Sequence, residues 1–261
     1  MKYGFIGCGN MGGAIARALA KKTTDFAITD RSGKAIALSA ELGCGYLTSE
    51  EIVPSCNRIF LAVKPQMMAG VLSELQDLLA EYRPTLITMA AGLTMEQIEA
   101  MAGTQLPVIR IMPNTPVAVG KGVTLYCAND RVTREDLLDF LSDMEYSGML
   151  DPVPEKLFDA AGTVSGCGPA YLYMFIEAMA DGAVACGVPR KQAVEYAAAT
   201  MAGAAEMVLQ THQHPGALKD AVCSPGGSTI AGVKALEDGA FRSAVINCIM
   251  AAAKRNSELG K

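Results

Sequence analysis

Two short stretches, far apart in the sequence, could each bind an anion through backbone amides. The first, Gly7-Cys8-Gly9-Asn10-Met11-Gly12, has the spacing G-x-G-x-x-G and stands between an apolar segment (residues 3–6) and a helical pattern (residues 14–20). There the first glycine permits a tight turn, the second leaves space for a diphosphate, and the third allows close helix–strand packing. Because free N–H groups at a helix start attract phosphate, the stretch predicts a dinucleotide site. A glycine-rich turn that binds nothing is the alternative, and the flanking strand and helix argue against it.

The second stretch is Ser224-Pro225-Gly226-Gly227-Ser228-Thr229-Ile230. Its Pro-Gly-Gly sequence ends one predicted helix, and Ser228 with Thr229 begins the next. The backbone N–H groups of Gly226 to Thr229 would then cluster at a helix start, which suits a carboxylate, and the Thr229 hydroxyl adds a donor or acceptor. Ordinary N-capping is the simpler explanation from spacing alone, so a binding role stays open at this point.

The strand that follows the first helical pattern supplies a candidate for recognising a ribose. Residues 26–30 have a strand pattern, and Asp30 follows Gly12 by 18 residues, near the ~20 expected for an acid that binds ribose hydroxyls. Arg31 and Ser32 could instead hold a 2′-phosphate, whereas Asp30 alone favours the unphosphorylated cofactor. These residues leave the choice between NADP and NAD open.

Three further predicted strands end in residues that could line the same site. The strand at 58–63 ends at Lys64-Pro65, the strand at 86–89 ends at Ala90-Ala91-Gly92, and the strand at 108–112 ends at Pro113-Asn114-Thr115-Pro116. Ligands of open α/β sheets bind outside the carboxyl ends of the strands. The small residues at 90–92 suit either a flat ring or tight helix packing, and both interpretations stand.

The order of these elements predicts an α/β protein with two domains. Strand and helix patterns alternate through residues 1–152, which predicts an N-terminal Rossmann domain with a doubly wound parallel sheet. Besides the segments already named, the patterns predict a helix at 34–42 ended by Gly43, a helix at about 67–81, a strand at 123–126 and a helix capped by Thr133. Residues 153–261 carry long segments rich in Ala, Met and Leu at helical spacing, which predicts an all-α C-terminal domain. This half looks too thin to cover its own apolar faces, so we expect it to be a dimerisation domain.

Composition argues against several classes of function. The net charge is −5 and the sequence has no basic run, so nucleic-acid binding has little electrostatic support. We also expect no membrane partner, because no apolar stretch reaches the length of a membrane span. The eight cysteines are scattered singly and only two histidines are present. We therefore expect no metal site. We also expect most of the thiols to fill core space, in a protein of a reducing compartment, the cytoplasm.

Taken together, six segments resemble the Δ1-pyrroline-5-carboxylate reductases, and they span nearly the whole chain in the order of that family. The segments are Gly4 to Gly12, Ala62 to Pro65, Ala90 to Gly92, Met112 to Pro116, Ser165 to Tyr171 and Ser224 to Ile230. The last of these is the most specific and the phosphate loop is the least specific.

The resemblance implies hydride transfer from NADPH, with NADH possible, to the C=N carbon of pyrroline-5-carboxylate, which gives L-proline, the last step of proline biosynthesis. It also implies a homodimer or a ring of dimers in which one subunit's cofactor meets the partner's helices. One departure concerns the cofactor, because Asp30 occupies a position often held by an uncharged residue in NADP-preferring members.

Site residues follow from the resemblance by position. The implied cofactor contacts are Ile6, Gly7, Cys8, Gly9, Asn10, Met11, Gly12, Asp30, Arg31, Ser32, Ala62, Val63, Lys64, Pro65, Met89, Ala90, Ala91 and Asn114. The implied substrate contacts are Glu155, Gly226, Gly227, Ser228 and Thr229, of which Thr229 is the catalytic candidate because it would fix the ring nitrogen.

The residues themselves argue against two rival functions. A hydroxyacid dehydrogenase of the Rossmann-plus-helical type would want a lysine beside the substrate, and none of Lys156, Lys191 and Lys219 lies in a glycine-rich helix start. A sensor that binds a dinucleotide without turnover would have no need of the carboxylate site predicted at Gly226 to Thr229.

Overall fold

Residues 1–259 are described in the computed structural model, without the side chains of Ser257 and Leu259. Within this range eight strands form one sheet in the order β3-β2-β1-β4-β5-β6-β7-β8. The strands are β1 (Tyr3–Ile6), β2 (Phe26–Thr29), β3 (Gly45–Tyr46), β4 (Arg58–Leu61), β5 (Thr85–Thr88), β6 (Val108–Met112), β7 (Gly122–Ala128) and β8 (Gly148–Pro152).

Helices connect and follow these strands. They are α1 (Asn10–Leu19), α2 (Lys34–Leu42), α3 (Ser49–Ser55), α4 (Pro65–Glu74), α5 (Gln76–Tyr82), α6 (Met95–Ala102), α7 (Arg134–Asp143), α8 (Phe158–Ser165), α9 (Gly168–Ala185), α10 (Arg190–Thr211), α11 (Pro215–Ala221), α12 (Ser228–Asp238) and α13 (Phe241–Leu259). Short 3₁₀ helices span Thr115–Val119, Glu145–Ser147 and Glu155–Leu157.

Along the sheet from β3 to β6, each strand runs parallel to the next, which confirms the predicted Rossmann sheet. In contrast, β7 pairs antiparallel with β6, and β8 runs parallel to β7. The reason is the short connection at residues 113–121, since a parallel crossover needs roughly a dozen residues or more. The sequence pattern predicts a strand near β7 within a parallel sheet, so the antiparallel direction of β7 differs from the prediction, and the pattern does not indicate β8.

Two apolar layers cover the sheet, one on each face, as a doubly wound fold requires. One layer packs α1, α2 and α7 on the sheet, with Phe5 and Phe60 of the two central strands stacked at a centroid distance of 4.3 Å. The other layer packs α3 to α6. Because strand side chains alternate between faces, Phe5 belongs to the first layer and its neighbour Ile6 to the second.

Helix boundaries agree with the expected capping residues at several points. Gly43 ends α2 in the left-handed conformation with φ 66°, and Thr133 caps α7 by accepting a hydrogen bond from the Asp136 amide. The helix expected over residues 67–81 is instead two helices, α4 and α5, that meet at Leu75.

The described residues divide into two compact units, one of residues 1–169 with 252–259, and one of residues 170–251. The second unit is all helical, and its buried side chains are three alanines, Ala180, Ala193 and Ala197. Large apolar side chains such as Tyr173, Met174 and Ile246 are exposed on it. The predicted functional boundary near residue 152 stays a prediction. In the described part of the chain, no helix has both the length and the apolar character to cross a bilayer.

Candidate active site

The three glycines of the phosphate loop occupy three different environments. Gly7 has φ +102°, and a Cβ there would lie 2.6 Å from the carbonyl oxygen of Ala62. A Cβ on Gly12 would lie 2.4 Å from the carbonyl oxygen of Gly7. A Cβ on Gly9, in contrast, would have nothing within 4 Å. Gly7 therefore permits the turn, Gly12 permits the close packing of α1 on the strand ends, and Gly9 faces open space where a ligand can approach the backbone.

A cavity of about 490 Å³ adjoins this loop. It is lined by Cys8, Gly9, Asn10, Gly13, Ala14, Arg17, Lys34, Leu38, Thr115 and Ala118. Helix α1 begins at Asn10 with Gly9 as its N-cap, so the free amides of its first turn lie at the cavity wall. Both cations, Arg17 and Lys34, add positive charge beside these amides, which suits a phosphate ligand.

Sequence reasoning missed several lining residues of this cavity, among them the two cations Arg17 and Lys34. Arg17 stands four residues after Gly13 on the same helical face, so helical spacing could have found it. Its guanidinium binds Glu41 through two hydrogen bonds of 2.8 and 2.9 Å. This pairing raises the pKa of Arg17 and lowers that of Glu41.

The thiol of Cys8 lies within the phosphate loop, and its environment makes it unreactive. Burial, with a smaller contribution from the charge of Asp30, raises its pKa to about 12. The group therefore stays a neutral thiol at physiological pH and adds no negative charge beside the helix start.

The topology brings the other predicted cofactor residues to one edge of the sheet. Register pairs Ile6 with Thr29 on one side and with Leu61 on the other, and Leu61 with Thr88. The segments after these strands, which contain Asp30 to Ser32, Ala62 to Pro65 and Met89 to Ala91, therefore lie side by side with the phosphate loop. The strand order reverses between β1 and β4, and open α/β sheets bind their ligands at such a switch point.

Asp30, Arg31 and Ser32 are already engaged with protein groups. The carboxylate of Asp30 accepts hydrogen bonds from the Ser32 amide and hydroxyl, both at 3.0 Å. Arg31 forms an exposed ion pair with Glu74 at 3.3 Å. Lys34 begins α2 two residues after Ser32, so the turn after β2 offers two cations and a hydroxyl beside one carboxylate.

Asn114 and Glu155 are held by the protein in a way that the sequence did not indicate. The side-chain oxygen of Asn114 accepts from the Val123 amide at 2.9 Å, and its nitrogen donates to the Ser165 carbonyl at 2.9 Å. The Glu155 carboxylate accepts from the Met95 amide at 2.9 Å and from Arg110 at 3.1 Å. These bonds join segments far apart in the chain, which local sequence patterns do not report.

In the second unit, Gly226 to Thr229 form a turn that leads into α12. Gly226 is left-handed with φ 69°, and Gly227 is the N-cap. Ser228 and Thr229 are therefore the first two residues of the helix and not its cap, so ordinary N-capping does not account for their hydroxyls. Both side chains are exposed within the single chain, and the amides of this first helical turn have no partner within the helix.

Candidate metal sites are absent from the described residues, where no group of three His, Cys, Asp or Glu side chains could hold an ion. The two histidines lie at helix ends. His212 is the left-handed C-cap of α10, and Nδ1 of His214 accepts a hydrogen bond from the Gly216 amide at 3.0 Å. Both histidines are therefore helix-end residues.

Comparison with known proteins adds named relatives to this geometry. A family model described as pyrroline-5-carboxylate reductase dimerisation matches residues 155–259. A second, described as NADP oxidoreductase coenzyme F420-dependent, matches residues 2–92. The chain is 42% identical to a pyrroline-5-carboxylate reductase of Escherichia coli, with 100% of this chain and 98% of that protein covered. It is 39% identical to one of Arabidopsis thaliana, with 100% and 96% covered.

Solved structures give the same picture. A Plasmodium falciparum pyrroline carboxylate reductase with NADP bound superposes with a TM-score of 0.90 at 34% identity, covering all of both chains. A 1-pyrroline-5-carboxylate reductase from Streptococcus pyogenes superposes with a TM-score of 0.89 at 30% identity, covering 99% of this chain and 98% of that one.

Proposed function

Because the chain belongs to the pyrroline-5-carboxylate reductase family, we propose that it reduces Δ1-pyrroline-5-carboxylate to L-proline with a nicotinamide dinucleotide as hydride donor. The observation that carries this proposal is the whole-length match to reductases of that name. The phosphate loop agrees with it, because only the Gly9 position, among its three glycines, leaves the backbone open to a ligand.

NADPH is the cofactor that we propose. When bound, it supplies the hydride for the reduction. Residues 6–12, with 62–65 and 89–91 at the neighbouring strand ends, would hold the dinucleotide. Arg31, Ser32 and Lys34 would hold a 2′-phosphate, and the existing hydrogen bonds from Ser32 leave the Asp30 carboxylate less free to bind a ribose hydroxyl. The relative from Plasmodium falciparum has NADP bound, which supports this choice.

The substrate site that we propose is the turn from Gly226 to Thr229. Its amides would bind the carboxylate of pyrroline-5-carboxylate, and the Thr229 hydroxyl would accept a hydrogen bond from the protonated ring nitrogen. In its iminium form the substrate already carries this proton and a positive charge. A strong general acid is then unnecessary, and both histidines have structural positions. The chain's contribution would be mainly orientation of the ring.

Glu155 is the remaining residue predicted to contact the substrate. We propose that it contributes indirectly, by holding Arg110 and the chain segment before α8 in place. Its carboxylate holds the guanidinium of Arg110, which is 3% exposed and stacks on the Phe158 ring at 4.7 Å. These contacts fix the segment before α8.

The assembly that we propose is a homo-oligomer that forms through the helical half, residues 153–261. The exposed apolar side chains of residues 170–251 support this, as does the match to a dimerisation family. A ring of dimers is the finer form of the proposal. A cytoplasmic location is proposed on the eight cysteines, none of which forms a disulfide.

The test is to mix the protein with NADPH and pyrroline-5-carboxylate, follow the nicotinamide absorbance, and identify proline as the product. NADH in a parallel reaction settles the cofactor preference. Constant absorbance with both cofactors would reject the reductase proposal, and NADPH binding without turnover would favour the sensor. Oxidation of a hydroxyacid with NADP as acceptor would favour the dehydrogenase.

A further inference from the structure

Asn114 lies where three elements of the nucleotide-binding unit come together. It follows the end of β6, its amide oxygen binds the start of β7 at Val123, and its amide nitrogen binds the last turn of α8 at Ser165. The residue is 6% exposed. Both polar groups of its side chain are therefore used by main-chain atoms of other elements.

The bond to Val123 extends the pairing of β6 with β7. Met112 pairs with Leu125, so Asn114 stands opposite Val123 in the same register. Its side-chain oxygen takes the place of a main-chain acceptor there. This fixes the chain that leads into the 3₁₀ helix Thr115–Val119, and two residues of that helix, Thr115 and Ala118, line the cavity beside Gly9.

The bond to Ser165 satisfies a carbonyl at the end of α8, where helical partners run out. The same helix packs closely on β6, since a Cβ on Gly162 would lie 3.2 Å from the Met112 side chain. Ser165 begins one of the segments that resemble the reductase family. Asn114 thus connects a wall of the cofactor cavity to the start of that segment.

We propose that Asn114 is a positioning residue for the reduction, which holds the cavity wall at Thr115 and the end of α8 in one fixed arrangement. This inference rests on the proposed function. Its side chain acts through main-chain atoms and not by contact with the cofactor. The rate of hydride transfer depends steeply on how the reactants are oriented. Loss of the two Asn114 hydrogen bonds would let the cavity wall and the end of α8 move, which slows turnover while NADPH still binds.

The decisive variant is N114D, which has nearly the same shape as the parent. Its ionised carboxyl still accepts from the Val123 amide but presents an oxygen to the Ser165 carbonyl, which also accepts. Burial raises the pKa of such a carboxyl, and its protonated form can again donate to Ser165. We therefore expect kcat to fall about tenfold at pH 8 and to recover toward the parent value as the pH is lowered.

N114A separates the proton effect from the loss of the side chain. It leaves the Val123 amide and the Ser165 carbonyl without the bonds that Asn114 makes, and it carries no titratable group. We expect the same loss of kcat without recovery at lower pH. It also provides a second variant if the charge in N114D prevents folding.

Asn129 offers a matched control at the other end of the same strand pair. Its oxygen accepts from the Val108 amide at 3.1 Å and its nitrogen donates to the Leu106 carbonyl at 2.9 Å. The side chain binds main-chain groups of other elements as Asn114 does, with one further bond from the Arg131 amide at 3.3 Å, but the half-buried site is at the start of β6, away from the cofactor edge. N129D is therefore expected to lower Tm while kcat and both KM values stay within about twofold, since the distant site touches no part of the cavity.

Three outcomes would overturn the proposal. The first is parent-like kcat in N114D and N114A, and the second is an equal kinetic loss in N129D, which would indicate a general effect of stability. The third is a rise in the KM for NADPH with kcat unchanged, which would indicate direct cofactor contact. A parent protein without turnover would instead refute the proposed function, so the two failures are distinguishable.

Discussion

Replacement of Gly9 by alanine separates the stability of the phosphate loop from its ability to bind a cofactor. The backbone of Gly9 has φ −65° and ψ −166°, which an alanine adopts without strain, and the added Cβ has no protein atom within 4 Å. Alanine is a poorer N-cap than glycine, but it also restricts the unfolded chain, and these effects oppose each other. We expect the free energy of unfolding to change by less than ~1 kcal/mol.

Cofactor binding should respond differently, because the new methyl group would occupy the space that we assign to the diphosphate. Overpacking by one methyl group typically costs about 1–3 kcal/mol. If the complex bears this cost, the Kd for NADPH rises roughly 5- to 150-fold. The assay is fluorescence titration of NADPH with parent and variant, together with urea unfolding of both.

Two other glycines provide the controls. G12A places its Cβ 2.4 Å from the carbonyl oxygen of Gly7, so we expect it to lose about 1–3 kcal/mol of stability through overpacking. G70A lies at an exposed position within α4 with no atom near its Cβ. It should gain about 0.4–1 kcal/mol and bind NADPH as the parent does. Parent-like NADPH affinity in G9A would refute the assignment of the diphosphate to this loop.

Three further predictions concern catalysis, a buried charge and pH. T229A should lower kcat/KM roughly 10- to 150-fold, the worth of a hydrogen bond to a charged group, with NADPH affinity unchanged, while T211A in the same helical unit should match the parent in steady-state assays. R58A breaks the pairs of a 6% exposed guanidinium with Asp136 and Asp139, and urea unfolding should show a loss of about 3 kcal/mol, the low end for a broken buried pair because its partners are half-exposed. Lys2 and then Arg58 hold the pKa of Asp139 below its ordinary value of 3.8. A depressed acid stabilises the fold above its unfolded pKa and loses that contribution as the pH falls through its folded pKa, so stability should decline below about pH 4. D139N should show a flatter decline in the same titration by circular dichroism, and an equally steep one would contradict the assignment.

Local sequence patterns predicted those parts of the fold that depend on local physics. The glycine spacing at residues 7–12, the cap at Thr133 and the end of α2 at Gly43 each follow from backbone preferences of a few neighbouring residues. The reversal of β7 depends on the length of the connection at residues 113–121, which the alternation of strand and helix patterns does not report.

Long-range contacts account for what the sequence did not indicate. The bonds from Asn114 to Val123 and Ser165 join three elements, and the pair of Arg110 with Glu155 joins β6 to a distant 3₁₀ helix. In such cases the residue type fits several roles, and only the folded chain selects one. Lys34 is another example. It lies beside the phosphate loop because β2, which precedes α2, pairs with β1, the strand that leads into the loop.

The helical unit has a consequence for how this protein responds to dilution. With three alanines as its buried side chains in the single chain, residues 170–251 gain little from burial until copies associate. Association then supplies part of the folding free energy, and mass action links the two equilibria. We expect the midpoint of thermal unfolding to rise with protein concentration, and dilute samples to lose their helical unit first.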